Sequence, residues 1–143
     1  MTARIILNDK GRMIHTVSPT QSIGAAAQLM AENRIGAVIV VDGTRPVAGV
    51  LSERDIVRAL ARDGARALED RVAAHMTERV VTCGPDDTIS DLMEMMTKGR
   101  FRHVPVIDEG RLVGIVSIGD VVKRKIEQSE REVVALREYI ATA

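Results

Sequence analysis

At 143 residues, 45% of them apolar and 28% charged, the chain is long enough for one globular domain or for two small subdomains that share a core. Lys+Arg and Asp+Glu balance at 20 each and aromatic residues make up 1%, which argues against a global field for nucleic acid or acidic membrane and against stacking platforms for bare bases. The single cysteine, Cys83, excludes an internal disulfide, and no apolar run has the length of a signal core or membrane span, so a cytoplasmic protein is predicted.

Residues 1–14 read as a lead-in with a short strand at Arg4–Leu7 and a turn at Asp9-Lys10-Gly11. A repeat then begins. His15-Thr16-Val17-Ser18-Pro19 matches Val81-Thr82-Cys83-Gly84-Pro85, aligning Thr16 with Thr82 and Pro19 with Pro85. After each proline, apolar residues at helical spacing predict an amphipathic helix: Ile23, Ala26, Ala27, Met30 and Ala31 in the first half, Ile89, Leu92, Met93 and Met96 in the second. The methionines read as core gap-fillers, and Asn33 and Gly99 stand where helix ends favour a left-handed residue. Two strands follow in each half, Ala37–Asp42 with Val47–Leu51, and His103–Asp108 with Leu112–Val116. The turns between them, Asp42-Gly43-Thr44-Arg45 and Asp108-Glu109-Gly110-Arg111, carry hairpin chemistry.

The second turn is one residue shorter, after which Gly49 aligns with Gly114, Ser52 with Ser117 and Asp55 with Asp120. Each half ends in a helix, Glu53–Ala61 and from Ile118 onward. The unit is therefore β-α-β-β-α, twice, and because one unit leaves a sheet face uncovered, the two are predicted to pack together. The resulting division is a lead-in at 1–14, a first unit at 15–62, a connector at 63–77, a second unit at 78–127 and a C-terminal helix at 128–143. The connector follows a polar turn at Arg62-Asp63-Gly64 and includes a short helix around Val72–Met76. In the last helix Ile126, Val133, Leu136 and Ile140 form a stripe that needs a partner surface, either the chain's own body or a second subunit.

The stretches Gly49–Asp55 and Gly114–Asp120 both run from a buried strand through a turn into a helix. Ser52 and Ser117 are placed to cap the helices, and the same geometry turns a hydroxyl, a carboxylate and backbone N–H groups toward one opening at a strand's C-terminal end. Capping and ligand contact both remain open for the serines. Elsewhere, His15, His75, His103 and Cys83 show no metal-ligand spacing, no Ser-His-Asp or Cys-His arrangement emerges, and the glycines form no phosphate-cradling loop after a strand.

With the repeat, the proline-led helix, Arg102-His103-Val104-Pro105-Val106-Ile107-Asp108 and the two glycine-to-aspartate stretches in view, the chain resembles a tandem pair of CBS domains, or Bateman module, over about residues 11–127. It is similar to short stand-alone bacterial CBS-pair proteins. The resemblance implies a mixed α/β (α+β) fold in which two units form a pseudo-twofold pair with a C-terminal helical extension. It also implies two clefts between the halves, holding ligands such as AMP, ADP, ATP, NAD(H) or S-adenosylmethionine, and dimerisation of modules, here as a homodimer of CBS pairs.

Carried over by position, Asp55 and Asp120 would accept hydrogen bonds from the ribose hydroxyls, Ser52 and Ser117 would donate to ribose or phosphate, and Thr16 and Thr82 would line the adenine edge. Phosphate would be held by Arg100, Arg102 and His103, with Arg54 and Lys123 at the helix starts. Because the first unit has Arg34, Gly36 and Ala37 where the second has Arg100, Arg102 and His103, the two sites are predicted to be unequal. The expected function is a non-enzymatic, adenine-nucleotide-binding regulatory module that senses energy or redox state, with no catalytic residue, catalytic cofactor or metal. Its expected partners are adenine nucleotides, a second copy and a regulated protein, and not nucleic acid or membrane. The alternative is a constitutive adaptor with vestigial clefts. An enzyme acting on nucleotides is a third reading, unsupported by any base–nucleophile pair.

Overall fold

The computed structural model describes residues 1–142. The elements in order are α1 (Ala3–Lys10), β1 (Thr16–Val17), α2 (Ile23–Asn33), β2 (Ala37–Val40), β3 (Gly49–Ser52), α3 (Glu53–Asp63), α4 (Ile89–Gly99), β4 (His103–Asp108), β5 (Arg111–Ser117) and α5 (Ile118–Thr142), with 3₁₀ turns at Gly64–Glu69 and Val72–Ala74 in the connector. In the first unit β1 lies parallel to β2 and β2 antiparallel to β3; in the second β4 and β5 form a hairpin. The strand predicted near Cys83 reduces to a single parallel bridge to Val106, made by Cys83 N–H to the Pro105 carbonyl (3.0 Å) and Ile107 N–H to the Cys83 carbonyl (2.8 Å). The β4–β5 turn has left-handed φ at both Glu109 (51°) and Gly110 (77°), the geometry that suits the twist of a two-residue hairpin.

Each unit's first helix is capped as its sequence dictates. The Ser22 side chain accepts from Ala25 N–H, and Thr88 and Asp91 form a reciprocal capping box. Their C-terminal ends differ from the prediction: the left-handed residues are Arg34 (φ 54°) and Arg100 (φ 55°), one position beyond Asn33 and Gly99. Asn33 stays helical with its amide bonded to the Leu29 carbonyl at 2.9 Å. Gly99 is glycine for space, since a Cβ there would lie 2.0 Å from the Phe101 ring.

The lead-in is not the predicted strand but α1. Ile5-Ile6-Leu7 reads as an apolar run, yet the residues that are buried, Ala3, Ile6 and Leu7, follow helical spacing. These three side chains join Cys83, Ile89, Leu92, Val104, Val106, Val116 and Val121 in the core of the second unit. The connector does the same for the first unit, where Val72 packs with Val17, Ile23, Val38, Val40 and Leu51. The backbone bonds correspond pair by pair: Arg4 N–H reaches the Pro85 carbonyl (2.9 Å) as Ala73 N–H reaches that of Pro19 (3.0 Å), and Ala3 N–H reaches Asp87 (2.9 Å) as Val72 N–H reaches Gln21 (2.8 Å). Each half is thus completed by the segment that precedes the other half in sequence.

This exchange explains the glycines that open the two repeated stretches. A Cβ on Gly114 would lie 2.5 Å from Leu7 Cδ2, and one on Gly49 would lie 2.8 Å from Met76 Sδ. Both strands are bare at that point because a lead-in side chain crosses them.

The helix expected over 128–143 is, as far as Thr142, the outer part of α5; residue 143 lies outside the described residues. Near the body, Val121 is buried and Arg124 pairs with Asp9 and Glu127. From Ser129 to Thr142 every residue is exposed, so the body does not cover the apolar stripe.

Candidate functional site

The two strand-to-helix junctions are built alike. Ser52 N–H and hydroxyl both donate to Asp55 Oδ2, at 2.9 and 3.0 Å, while Asp55 N–H donates back to Ser52 Oγ at 3.4 Å. Ser117 and Asp120 repeat the box at 2.9, 2.9 and 3.2 Å. The serines are therefore caps in both halves. In each aspartate the box engages Oδ2, and among the described residues Oδ1 accepts no hydrogen bond.

Around Asp55 this junction opens into a cleft of about 490 Å³ between the halves. Six of the predicted site residues line it: Ser52, Arg54 and Asp55 from the first unit, and Arg100, Arg102 and His103 from the second. Five arginines border the space, namely these three with Arg58 and Arg79, against the two carboxylates of Glu53 and Asp55. Among the described residues none of the five is in an ion pair. The halves touch across the cleft where Arg54 donates to the Arg100 carbonyl at 3.4 Å, a carbonyl whose direction is set by the left-handed Arg100 backbone. Apolar lining comes from Val50, Val80, Val81 and Phe101.

His103 sits against Gly36: a Cβ at that glycine would lie 3.4 Å from the imidazole Nε2 and 3.3 Å from Glu53 Oε1. Burial pushes the His103 pKa below its ordinary 6.5, and the attraction of Glu53 does not fully offset it. The ring is accordingly neutral at pH 7, so a phosphate contact through an imidazolium requires proton uptake on binding.

Five predicted residues lie outside this cleft: Thr16, Thr82, Ser117, Asp120 and Lys123. Thr16 pairs with Ile39 in the sheet. Asp120 Oδ2, already engaged by Ser117, also accepts from Lys10 Nζ at 2.7 Å, and Lys10 donates to the Ile115 carbonyl at 3.1 Å. Burial pushes the Asp120 carboxyl up, but the bonds from Lys10 and Ser117 outweigh it and hold the group below its ordinary 3.8. Lys10 ends α1 much as Arg79 follows the connector, so the exchanged lead-ins deliver one cation to each junction.

The lining residues that the sequence reading missed are Gly36, Val50, Glu53, Arg58, Thr77, Arg79, Val80, Val81, Gly99 and Phe101. Arg58 had a signal, being the repeat counterpart of Lys123. Phe101 is the chain's only phenylalanine, and it lies at this cleft. Outside it, Asp63, Asp70 and His75 bring ligand-type atoms within 4.8 Å of one another. Its members are already partnered: His75 Nε2 meets Asp70 at 2.7 Å, and the Arg62 guanidinium meets Asp63 at 3.3 Å and His75 Nδ1 at 3.4 Å, placing a positive charge beside the cluster. Cys83 is buried, and desolvation raises its pKa to about 12, so the thiol stays protonated.

Comparison with known proteins agrees with this architecture. The family model of the CBS domain matches residues 4–62 and again 71–127. A CBS-domain containing protein from Agrobacterium tumefaciens superposes with a TM-score of 0.84 at 49% identity, covering 87% of this chain and 99% of the other. A CBS domain protein from Pyrobaculum aerophilum, solved with AMP, has a TM-score of 0.73 at 28% identity, covering 84% and 89%. A CBS domain pair solved with 5′-methylthioadenosine and S-adenosyl-L-methionine has a TM-score of 0.79 at 26% identity, covering 90% and 98%. No described helix is long and apolar enough to cross a membrane.

Proposed function

The chain belongs to the CBS-domain family, with two tandem copies of the domain, and from that premise we propose that it is a non-enzymatic regulatory module whose Asp55 cleft binds a phosphate-bearing adenine nucleotide. The observation that carries the reading is the set of five arginines, none of them ion-paired among the described residues, around one cavity that also holds a capping-box aspartate whose Oδ1 accepts no hydrogen bond among those residues. In this reading Asp55 accepts from the ribose diol. Arg100 and Arg102, from the opposite half, hold the phosphates, with Arg54, Arg58 and Arg79 completing the positive rim. Val50, Val80, Val81 and Phe101 supply an apolar seat for the base.

The charge selects within the ligand class. The relatives' ligands include AMP, 5′-methylthioadenosine and S-adenosyl-L-methionine. A sulfonium cation is repelled by this rim and an uncharged thioether gains nothing from it, whereas each added phosphate is attracted. The preferred order is ATP over AMP, and AMP over either sulfur nucleoside; NADH, whose two phosphates carry one charge each, stands beside AMP. A bound nucleotide would tie Asp55 of one unit to Arg100 and Arg102 of the other, coupling ligand to the relation between halves and so to any surface that depends on it.

One observation favours the adaptor reading for the other half: the Asp120 junction already holds Lys10. Thermal-shift measurements with millimolar ATP, NADH, AMP and S-adenosylmethionine separate the readings, because a ligand that binds the folded state alone raises apparent stability by RT ln(1 + [L]/Kd). A rise with ATP or NADH is expected. No shift with any adenine nucleotide would leave the adaptor.

A further inference from the structure

We infer that the outer half of α5 is a dimerisation element that pairs with the same helix of a second copy of this chain as a parallel, in-register, two-stranded coiled coil. This does not rest on the nucleotide reading. The helix runs 25 residues, and its apolar residues beyond the body have no cover: Ile126 is 54% exposed, Val133 48%, Leu136 59% and Ile140 65%. These four share a heptad seam, and Val134 (52% exposed) and Tyr139 (71%) fall beside it at b and g. Ile126, Val133 and Ile140 fall seven apart at the position conventionally called a, and Val122, Ser129 and Leu136 fall at d.

Two features select the occupant and its orientation. All three a residues are β-branched and Leu136 stands at d, the combination that favours two parallel strands. The flanking charges are self-complementary in that arrangement. In a parallel pair the g residue of one helix meets the following e residue of the other, which sets Lys125 against Glu130 and Glu132 against Arg137 of the second copy, each contact occurring twice by symmetry. An antiparallel pair over the same stretch sets e against e and g against g. That matches Glu130 with Arg137 but leaves Lys125 and Glu132 without an opposite charge. A long, unsupported, amphipathic helix is marginal in water by itself, and a second copy supplies the missing face.

The test uses the full chain at about 100 µM, since association follows mass action. Ser129→Cys and Leu136→Cys, made separately, place a thiol at d positions that meet their own counterpart in a parallel, in-register pair. Under mild oxidation both variants should form a covalent dimer, while the parent, whose Cys83 is buried, should not. Sedimentation equilibrium of Val133→Asp/Leu136→Asp should halve the assembly mass, with the fold intact because both positions are exposed. Glu132→Lys should weaken pairing on the order of tenfold, and adding Arg137→Glu should restore it. A monomeric parent, an unchanged mass for the double aspartate variant, or cross-linking at neither or only one cysteine position would each overturn the proposal.

Discussion

The two strand-to-helix junctions begin from the same local chemistry and end as different sites. Both carry a serine and an aspartate locked in a capping box at matched distances. Around Asp55 the neighbours are Arg54, Arg58, Arg79, Arg100 and Arg102, and a cavity of about 490 Å³ opens between them. At the repeat-equivalent positions around Asp120 stand Gly119, Lys123, Lys10, Arg34 and Gly36, and Lys10 is bonded to the carboxylate itself. A duplicated motif therefore preserves the scaffold. In the proposed reading, ligand capacity is decided largely by residues outside the motif, Arg100 and Arg102 among them from the other half.

The sharpest way to break the comparison is to remove the charge from the open cleft. Arg100→Ala/Arg102→Ala should weaken ATP binding about 100-fold by calorimetry, as expected for two charge-assisted contacts, with little loss of fold because neither side chain is in an ion pair among the described residues. Next in size is the anchor of α1, which seats Lys10. Gly114→Ala drives a methyl group into Leu7 and should destabilise the chain by about 1–3 kcal/mol in urea unfolding; pairing it with Leu7→Ala should cost less than the two changes summed.

The aspartates provide a matched pair of variants. Asp55→Ala and Asp120→Ala lose the same cap, about 1 kcal/mol each, but Asp55→Ala should weaken ATP binding about tenfold and Asp120→Ala by less than about twofold. Equal effects would contradict the inequality of the sites. The smallest effect is a pH dependence. The free protein holds the His103 pKa below 6.5, and a phosphate beside the ring would raise it, so binding takes up a proton and affinity should rise a few-fold as pH falls from about 7.5 to about 6. His103→Gln should flatten that profile. In the absence of ligand the same group contributes stability that is full above 6.5 and lost as pH falls through the window below it, because the folded state resists the proton.

Much of the fold was legible because it is encoded locally and twice. Turn chemistry marks the β4–β5 hairpin, and the Ser–Asp spacing marks both capping boxes. The exchange of lead-ins was not legible, since it is a tertiary choice. Nothing in Ile5-Ile6-Leu7 says which half it will cover, and only the bare glycines opposite, Gly114 and Gly49, record that something crosses there. The cleft divides along the same line. Arg100, Arg102 and His103 stand out in a repeat alignment because their counterparts differ. Lys10 and Arg79 stand ahead of the motifs that align between the halves, so the contrast between them, one bonded to Asp120 and one bordering a cavity, becomes visible only with the exchange of lead-ins.

Calorimetric titration of the full chain with ATP separates one open nucleotide cleft beside a junction held by the chain's own lysine from two equivalent sites. The expected result is a single site per chain that is lost in Arg100→Ala/Arg102→Ala and kept in Asp120→Ala. Two equal sites per chain, or a single site abolished by Asp120→Ala and untouched by the arginine changes, would contradict it.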